Sequence, residues 1–377
     1  MIRPFDEPIY VTRPLLPPLD ALQGRLAEVW SSRWLTNAGE QHERLGAAIG
    51  RYLDVPQVSL FNNGTIALLV ALRALGIRGG VITTPFTFPA TPHAISWSGA
   101  RPVFCDIDPV RLTLDPARVE ALITRDTSCI LAVHVYGIPC DVNALQDIAD
   151  RHGLKVLYDA AHAFGTKIGG VGIGNFGDAS MFSFHATKLF HSAEGGALTC
   201  RSASLRKTFD DLKNFGILSQ EEVSGIGING KMNELQAALG LAVLECVPAE
   251  LERRRAVIAR YRERLEGIRG LTVVSEPGGV ESSCQYFVVR IDPVSFGCSR
   301  DTVFDRLKHY NVFARKYFHP LCSTYDAYRD LPSASPAHLP VATRVVQEVL
   351  CLPLYGTLPL PAVDAVCDMI RHIQTHG

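Results

Sequence analysis

The sequence predicts an α/β protein with a mostly parallel seven-stranded sheet, covered by helices on both faces, and a smaller α+β domain after it. Seven short runs of β type recur between residues 58 and 200, and amphipathic helical patterns separate the early ones. The runs are apolar nearly throughout, as strands buried on both faces are. They cover residues 58–61, 81–84, 102–105, 130–135, 155–158, 179–184 and 197–200.

The elements follow one another in a simple order. A proline-rich arm and a helix make up residues 1–35, and a turn at 36–39 leads into a helix at 41–52. The large domain is predicted over 36–247, with helices at 65–75, 90–98, 116–123 and 142–152 between its strands. A helical pattern over 233–270 is expected to break at Pro248. The small domain, 248–377, has β-type runs at 271–275 and 286–291.

Composition excludes several classes of function. The 377-residue chain has a formal net charge of −1, so nothing in the charge balance indicates nucleic acid as a partner. Its ten cysteines show no C-x-x-C spacing, which favours buried thiols in a reducing compartment and no metal site. No apolar run has the length of a signal sequence or a membrane span, and we therefore expect a cytoplasmic protein without a membrane partner.

An acid and a lysine follow two of the predicted strands. Asp159 closes the run at 155–158, and Lys188 comes just after the run at 179–184. In a parallel sheet, ligands bind at the carboxyl ends of strands, so both side chains are expected at one edge. A carboxylate facing a pyridinium nitrogen and an amine that reacts with a carbonyl are what pyridoxal phosphate needs. Asp159 could instead cap a helix, and Lys188 could be an ordinary surface lysine.

Other side chains near these strand ends could complete a cofactor site. The segment 61–65 leaves a strand and opens a helix, so its backbone N–H groups and the Thr65 hydroxyl could bind a phosphate, with Ser183 as a second hydroxyl. Thr65 could also be a simple helix cap. Phe88 could cover the cofactor ring or belong to the core, and His162 could contact the ring oxygen or be an ordinary buried histidine. No G-x-G-x-x-G follows the first strand, which argues against a nicotinamide cofactor.

The chain resembles the DegT/DnrJ/EryC1/StrS family of sugar aminotransferases from about residue 35 through the C-terminal domain, which is nearly the whole chain. The resemblance is carried by the segments FNNGTIALLVALRALGI, TTPFTFPATPHAISWSGARPVFCDID, VHVYGIPCDVNAL, DAAHAFG, FSFHATKLFHSAEGGAL and GKMNELQAALGL. It implies the aspartate aminotransferase-like architecture of pyridoxal phosphate fold type I. It also implies that Lys188 binds the cofactor covalently, that Asp159 meets the pyridine nitrogen and that His162 lies at the phenolic oxygen. Phe88 takes the stacking position.

The resemblance further implies a phosphate site shared between two subunits. Gly64, Thr65 and Ser183 match the residues that hold the phosphate, and Asn229 matches an asparagine that reaches the phosphate of the neighbouring subunit. A homodimer with shared active sites is therefore expected. The chain departs from the family in Ala186, where proline is common, and in the segment 229–231, where the family often has Asn-Tyr-Arg.

Within the family, the resemblance is greatest to the viosamine-type enzymes, which use L-glutamate to aminate dTDP-4-keto-6-deoxyglucose at C4. Lys231, Lys316, Tyr317 and His319 are candidates for contacts with the sugar or its diphosphate, and a structural role for 315–320 remains equally open. The alternatives are a 3-keto-sugar aminotransferase, a UDP- or GDP-4-keto-sugar aminotransferase of the perosamine type, and a cofactor-binding regulatory protein without turnover. Lys188 excludes the family members that carry histidine there and dehydrate their substrate.

Overall fold

The centre of the molecule is a seven-stranded sheet within residues 57–200. The computed structural model describes residues 3–376, and the order of the strands in this sheet is β2-β10-β9-β6-β5-β3-β4. Only β10 runs antiparallel to its neighbours, β2 and β9. The predicted fold class is confirmed, and each of the seven β-type runs is a strand of this sheet.

The strands of the whole chain are β1 Ile9–Tyr10, β2 Gln57–Phe61, β3 Gly80–Thr83, β4 Arg101–Phe104, β5 Thr127–Val133, β6 Lys155–Asp159, β7 Lys167–Ile168, β8 Val171–Gly172, β9 Ala179–Ser183, β10 Gly196–Cys200, β11 Leu271–Val273, β12 Val280–Glu281, β13 Phe287–Ile291, β14 Val312–Phe313 and β15 Val349–Leu352. The helices are α1 Leu19–Ser32, α2 Glu40–Leu53, α3 Gly64–Ala74, α4 Ala90–Trp97, α5 Pro116–Val119, α6 Val142–His152, α7 Ala203–Leu212, α8 Glu234–Leu265, α9 Pro293–Phe296, α10 Arg300–His309, α11 Pro340–Glu348 and α12 Leu360–His376.

Both faces of the large sheet are buried, as the apolar strands predict. Successive side chains of a strand point to opposite faces. Val81 and Leu131 therefore belong to the core beneath α3, α4 and α7, whereas Ile82 and Ile130 belong to the core beneath α2, α6 and α8. All four side chains are fully buried. Because neither face meets water, these strands have no reason to alternate apolar with polar residues.

Helix α8 joins the large sheet to the rest of the molecule without interruption. The break that we expected at Pro248 is wrong, because the helix continues through this proline to Leu265. A proline inside a helix removes one backbone hydrogen bond. Here, Val247 and Glu250 on either side of it are buried, and this tertiary packing stabilises the helix more than one hydrogen bond would.

A buried ion pair follows Pro248 on this helix. Arg254 Nε donates to Glu250 Oε1 at 2.7 Å, and both side chains are almost completely buried. Glu250 Oε1 also accepts from the Gly356 N–H at 2.7 Å, and Arg254 Nη1 donates to the Cys284 carbonyl at 3.2 Å. The pair therefore fixes α8 to two later segments of the chain.

Three smaller sheets complete the fold. The order β11-β13-β15 forms an antiparallel sheet that packs with α8, α10 and α12, and β12-β7-β8 includes the glycine-rich segment after β6. The N-terminal arm pairs through β1 with β14, in parallel. Within residues 3–376, no helix combines the length and the apolar character that crossing a membrane requires.

Candidate active site

Eight of the twelve predicted site residues meet at one cavity of about 620 Å³, at the carboxyl ends of β6 and β9. The eight are Gly64, Thr65, Phe88, Asp159, His162, Ser183, Lys188 and Tyr317. This location follows from the topology, because the parallel strands β5, β6 and β9 all end at this edge.

Asp159 is the last residue of β6, and its carboxylate is buried. Its Oδ2 accepts from Thr91 Oγ1 at 2.7 Å, and its Oδ1 accepts from the Ala161 N–H at 3.1 Å. Burial raises the pKa of this carboxyl group, while the two hydrogen bonds and the nearby Lys188 ammonium oppose that rise. The alternative that Asp159 caps a helix is wrong, because only turns lie between β6 and β7, and the backbone N–H that the carboxylate receives belongs to a turn.

Lys188 lies in the turn after β9, where its backbone N–H donates to the His185 carbonyl at 2.9 Å. Its side chain lines the cavity, so it is not an ordinary surface lysine. Removal from water lowers the pKa of the amine to about 8, and the Asp159 carboxylate opposes that lowering. A substantial fraction of the amine is therefore neutral, and nucleophilic, slightly above neutral pH.

His162 is buried between the sheet and an aromatic wall. Its ring is nearly parallel to that of Phe318, with 8° between the planes and 5.6 Å between the centroids, and it meets the edge of Tyr286. Burial, with the Lys188 charge nearby, holds the pKa of this imidazole well below its ordinary value. Its Nδ1 is buried and has no hydrogen-bond partner among residues 3–376. A neutral imidazole thus lines the cavity, although solvent in the cavity does not reach its Nδ1.

The loop between β2 and α3 borders the cavity beside Ser183. Asn63 caps α3 by accepting from the Ile66 N–H at 2.9 Å, so the alternative of Thr65 as the cap is wrong and its side chain is left to line the cavity. A Cβ on Gly196 would lie 2.8 Å from the backbone of Asn63 and Gly64. Only glycine lets β10 approach this loop so closely.

The aromatic residues at the cavity divide into predicted and unpredicted ones. Phe88 is 57% exposed, so the alternative that it belongs to the core is wrong. Tyr286 and Phe318 also line the cavity, and sequence reasoning missed them. They lie 98 and 130 residues beyond Lys188 in the chain, and no local pattern links them to it.

Four predicted residues lie outside this cavity. Asn229 and Lys231 line a separate hollow, where Lys231 Nζ donates to Asn214 Oδ1 at 2.7 Å. Lys316 forms an ion pair with Asp301 at 3.0 Å, and His319 lines a separate groove. Of the three predicted residues in the segment 316–319, Tyr317 reaches the cavity. The chain turns here, with the His319 N–H bonded to the Lys316 carbonyl, so neighbouring side chains point in different directions.

Comparison with known proteins agrees with the fold and with the family that the sequence resembles. Residues 20–371 match the DegT/DnrJ/EryC1/StrS aminotransferase family. The chain is 42% identical over 370 residues, 98% of its length and 100% of the relative's, to a dTDP-4-amino-4,6-dideoxy-D-glucose transaminase of Shigella dysenteriae. It is 43% identical to an enzyme of the same name from Escherichia coli, covering 94% of this chain and 95% of the relative.

A solved structure extends the likeness to three dimensions. DesI, crystallised in the presence of its TDP-sugar product, superimposes with a TM-score of 0.95 at 37% identity. The match covers 100% of this chain and 95% of DesI. Because the family match and the two relatives span almost the whole chain, the protein belongs to the DegT/DnrJ/EryC1/StrS aminotransferase family.

Proposed function

We propose that this chain transfers the amino group of L-glutamate to C4 of dTDP-4-keto-6-deoxy-D-glucose. The products are dTDP-4-amino-4,6-dideoxy-D-glucose and 2-oxoglutarate. As a member of its family, the chain is a pyridoxal-phosphate-dependent transaminase. The observation that carries the proposal is the meeting of Asp159 and Lys188 in one cavity, beside the loop that opens α3. The activity named for the two relatives supports the choice of sugar and of C4.

The cavity has the groups that pyridoxal phosphate requires. The buried Asp159 carboxylate suits the ring nitrogen, and the imidazole of His162, which lines the cavity, suits the ring oxygen. The first N–H groups of α3, with the hydroxyls of Thr65 and Ser183, suit the phosphate. When bound, the cofactor supplies a carbon that takes up the amino group and a ring that accepts the electron pair of a cleaved C–H bond.

Lys188 and Asp159 have complementary tasks in this reaction. The Lys188 amine, with its lowered pKa, takes the proton from the α carbon of L-glutamate and, in the second half of the reaction, delivers a proton to C4 of the sugar. Asp159, held ionised by its two hydrogen bonds, keeps the ring nitrogen protonated. His162 remains neutral, and its contacts with Phe318 and Tyr286 hold the ring at the cavity, where it would meet the ring oxygen.

The sugar and its diphosphate would approach from the side of Tyr317. This side chain lines the cavity, and Lys316 next to it is already paired with Asp301. A diphosphate at Lys316 would have to compete with that carboxylate. His319 would take part only from the neighbouring groove. We therefore expect Tyr317→Ala to raise the KM for the sugar nucleotide more than Lys316→Ala does.

Asn229 and Lys231, which lie outside the cavity, could contribute to an active site if the chain forms a homodimer. The segment around them exposes large apolar side chains, including Phe215, Val223 and Ile226, the last at 80%. Several exposed apolar side chains within one short segment are typical of a protein interface. We propose that this surface packs against a second copy of this chain and brings Asn229 to the phosphate of the cofactor in that second copy. Sedimentation of Ile226→Asp should show dissociation, and dissociation should weaken cofactor binding.

A direct assay tests the function. Purified protein with pyridoxal phosphate, L-glutamate and dTDP-4-keto-6-deoxy-D-glucose should release 2-oxoglutarate, and NMR of the sugar should place the amine at C4. Lys188→Ala should abolish turnover. Amination at C3, or a preference for UDP- or GDP-linked 4-keto sugars, would support the corresponding alternative aminotransferases. Protein that binds the cofactor but converts no keto sugar would support the regulatory alternative, and protein that gains no colour with the cofactor would contradict all of them.

A further inference from the structure

Two buried threonines are connected to Asp159 by hydrogen bonds. Thr91, near the start of α4, donates from Oγ1 to Asp159 Oδ2 at 2.7 Å. Thr87, four residues earlier, places its own Oγ1 2.9 Å from that of Thr91. Both side chains are almost completely excluded from solvent. A chain of two hydroxyl groups thus ends on one oxygen of the carboxylate.

The charge of Asp159 determines the direction of these hydrogen bonds. An ionised carboxylate can only accept, so Thr91 must give its single proton to Oδ2. Thr91 then has lone pairs but no proton for Thr87, so the Thr87 hydroxyl must donate to Thr91. The other oxygen, Oδ1, accepts from a backbone N–H, a bond that cannot be reversed. Protonation of Asp159 on Oδ2 would force both hydroxyls to turn.

We propose that Thr91 is a positioning residue of this transaminase, whose hydroxyl, supported by Thr87, keeps Asp159 ionised and directed at the ring nitrogen of the cofactor. The inference rests on the proposed function, in which Asp159 meets that nitrogen. Burial alone would favour the neutral acid and raises its pKa, and the Thr91 hydrogen bond is the largest of the effects that oppose this rise. A neutral Asp159 could not hold a proton on the ring nitrogen by charge.

The threonine pair is itself held from a distant part of the chain. The Cys322 thiol donates to the Thr87 carbonyl at 3.2 Å, and the Cys322 N–H donates to the Pro85 carbonyl at 2.9 Å. Burial raises the pKa of this thiol to about 12, so it keeps the proton that it donates. The segment 85–91 therefore cannot easily move Thr91 away from the carboxylate, and the orientation exists before the cofactor binds.

Isosteric substitutions test this proposal. Thr91→Val removes the hydroxyl and preserves the shape, whereas Thr91→Ser preserves the hydroxyl. Thr83→Val is the matched control, since the Thr83 hydroxyl is equally buried but has no hydrogen-bond partner in the described part of the chain. Loss of a hydrogen bond to a charged group predicts that Thr91→Val slows the half-reaction with L-glutamate by about 10- to 100-fold. Thr91→Ser should restore most of the rate.

Two further measurements separate positioning from a general structural effect. Thr91→Val should weaken binding of pyridoxal phosphate but not of its analogue with CH in place of the ring nitrogen. Thr91→Val should also cause little additional loss in an Asp159→Asn background, because the two residues act through one group. Equal effects on both cofactors, or a half-reaction rate equal to that of Thr83→Val, would overturn the proposal. If the wild type itself failed to react with L-glutamate, the proposed function would fail instead.

Discussion

Replacing Lys188 with methionine should stabilise the cofactor-free protein. Transfer into the cavity lowers the pKa of this amine from its ordinary value, about 10.4, to about 8. Below pH 8 the amine is charged in both the folded and the unfolded chain, and the folded chain bears the cost of removing that charge from water. At about 1.4 kcal/mol for each tenfold change in proton affinity, this cost is about 3 kcal/mol.

The expected gain is smaller than that figure, and it depends on pH. Water in the cavity partly solvates the amine, so we expect Lys188→Met to add about 1 to 3 kcal/mol to the free energy of unfolding at about pH 7. As the pH rises from about 8 to about 10.4, the folded chain loses its proton before the unfolded chain does. Wild-type stability therefore rises relative to the variant, and the gain disappears.

Urea denaturation of cofactor-free protein, followed by circular dichroism at one protein concentration, would measure this gain at about pH 7 and about pH 10. Other groups also titrate over this range, but they are common to both proteins and cancel in the difference. Lys207→Met is the control, because Lys207 is exposed and its ion pair with Asp211, at 2.8 Å, should contribute less than about 0.5 kcal/mol. A gain that is absent at pH 7, or that does not shrink with pH, would refute the reasoning.

Four more predictions concern the site and its supports. The rate of pyridoxal phosphate uptake, followed by absorbance, should rise about tenfold per pH unit and level off above the Lys188 pKa of about 8. In Asp159→Asn the uptake rate should level off at a lower pH, because the Asp159 carboxylate raises the pKa of Lys188 in the wild type. An unchanged pH profile would contradict this coupling between the two side chains. Arg254→Met leaves the buried Glu250 carboxylate without a buried cation and should lower the free energy of unfolding by about 3 kcal/mol. Urea denaturation would measure this loss, and the exposed Arg255→Met is the control, with an expected loss of less than about 0.5 kcal/mol. Gly196→Ala would place a Cβ 2.8 Å from the loop that opens α3 and should raise the Kd of the cofactor about tenfold; an equal Kd would argue against a phosphate site there.

Much of the large sheet could be predicted because burial on both faces leaves a local signature. Strands such as β5 and β6 are nearly continuous apolar runs, and helices such as α6 repeat apolar residues at helical spacing between polar ones. The expected break at Pro248 was wrong for a physical reason. Local propensity disfavours an interior proline, but the packing of α8 against two parts of the molecule is not visible in the local sequence.

The candidate site was predictable only where it depends on strand ends. Asp159 and Lys188 follow strands that end at the same edge, so topology alone brings them to one cavity. Lys316 and His319 were grouped with Tyr317 because they are neighbours in the chain, yet only Tyr317 lines the cavity. Within an irregular turn such as 316–319, the direction of each side chain depends on contacts that a sequence pattern does not encode.

By itself, the sequence determined the α/β class, the order of the seven strands along the chain and the placement of an acid and a lysine at their carboxyl ends. These features depend on periodicity and on residues close together in the chain, where burial and backbone geometry act locally. Only the tertiary structure decided how the acid is held. Thr91 lies 68 residues before Asp159, and Phe318, which orders His162, lies far beyond both. Hydrogen bonds and ring contacts between such distant segments require angstrom-scale placement, and the packing of the whole chain supplies it.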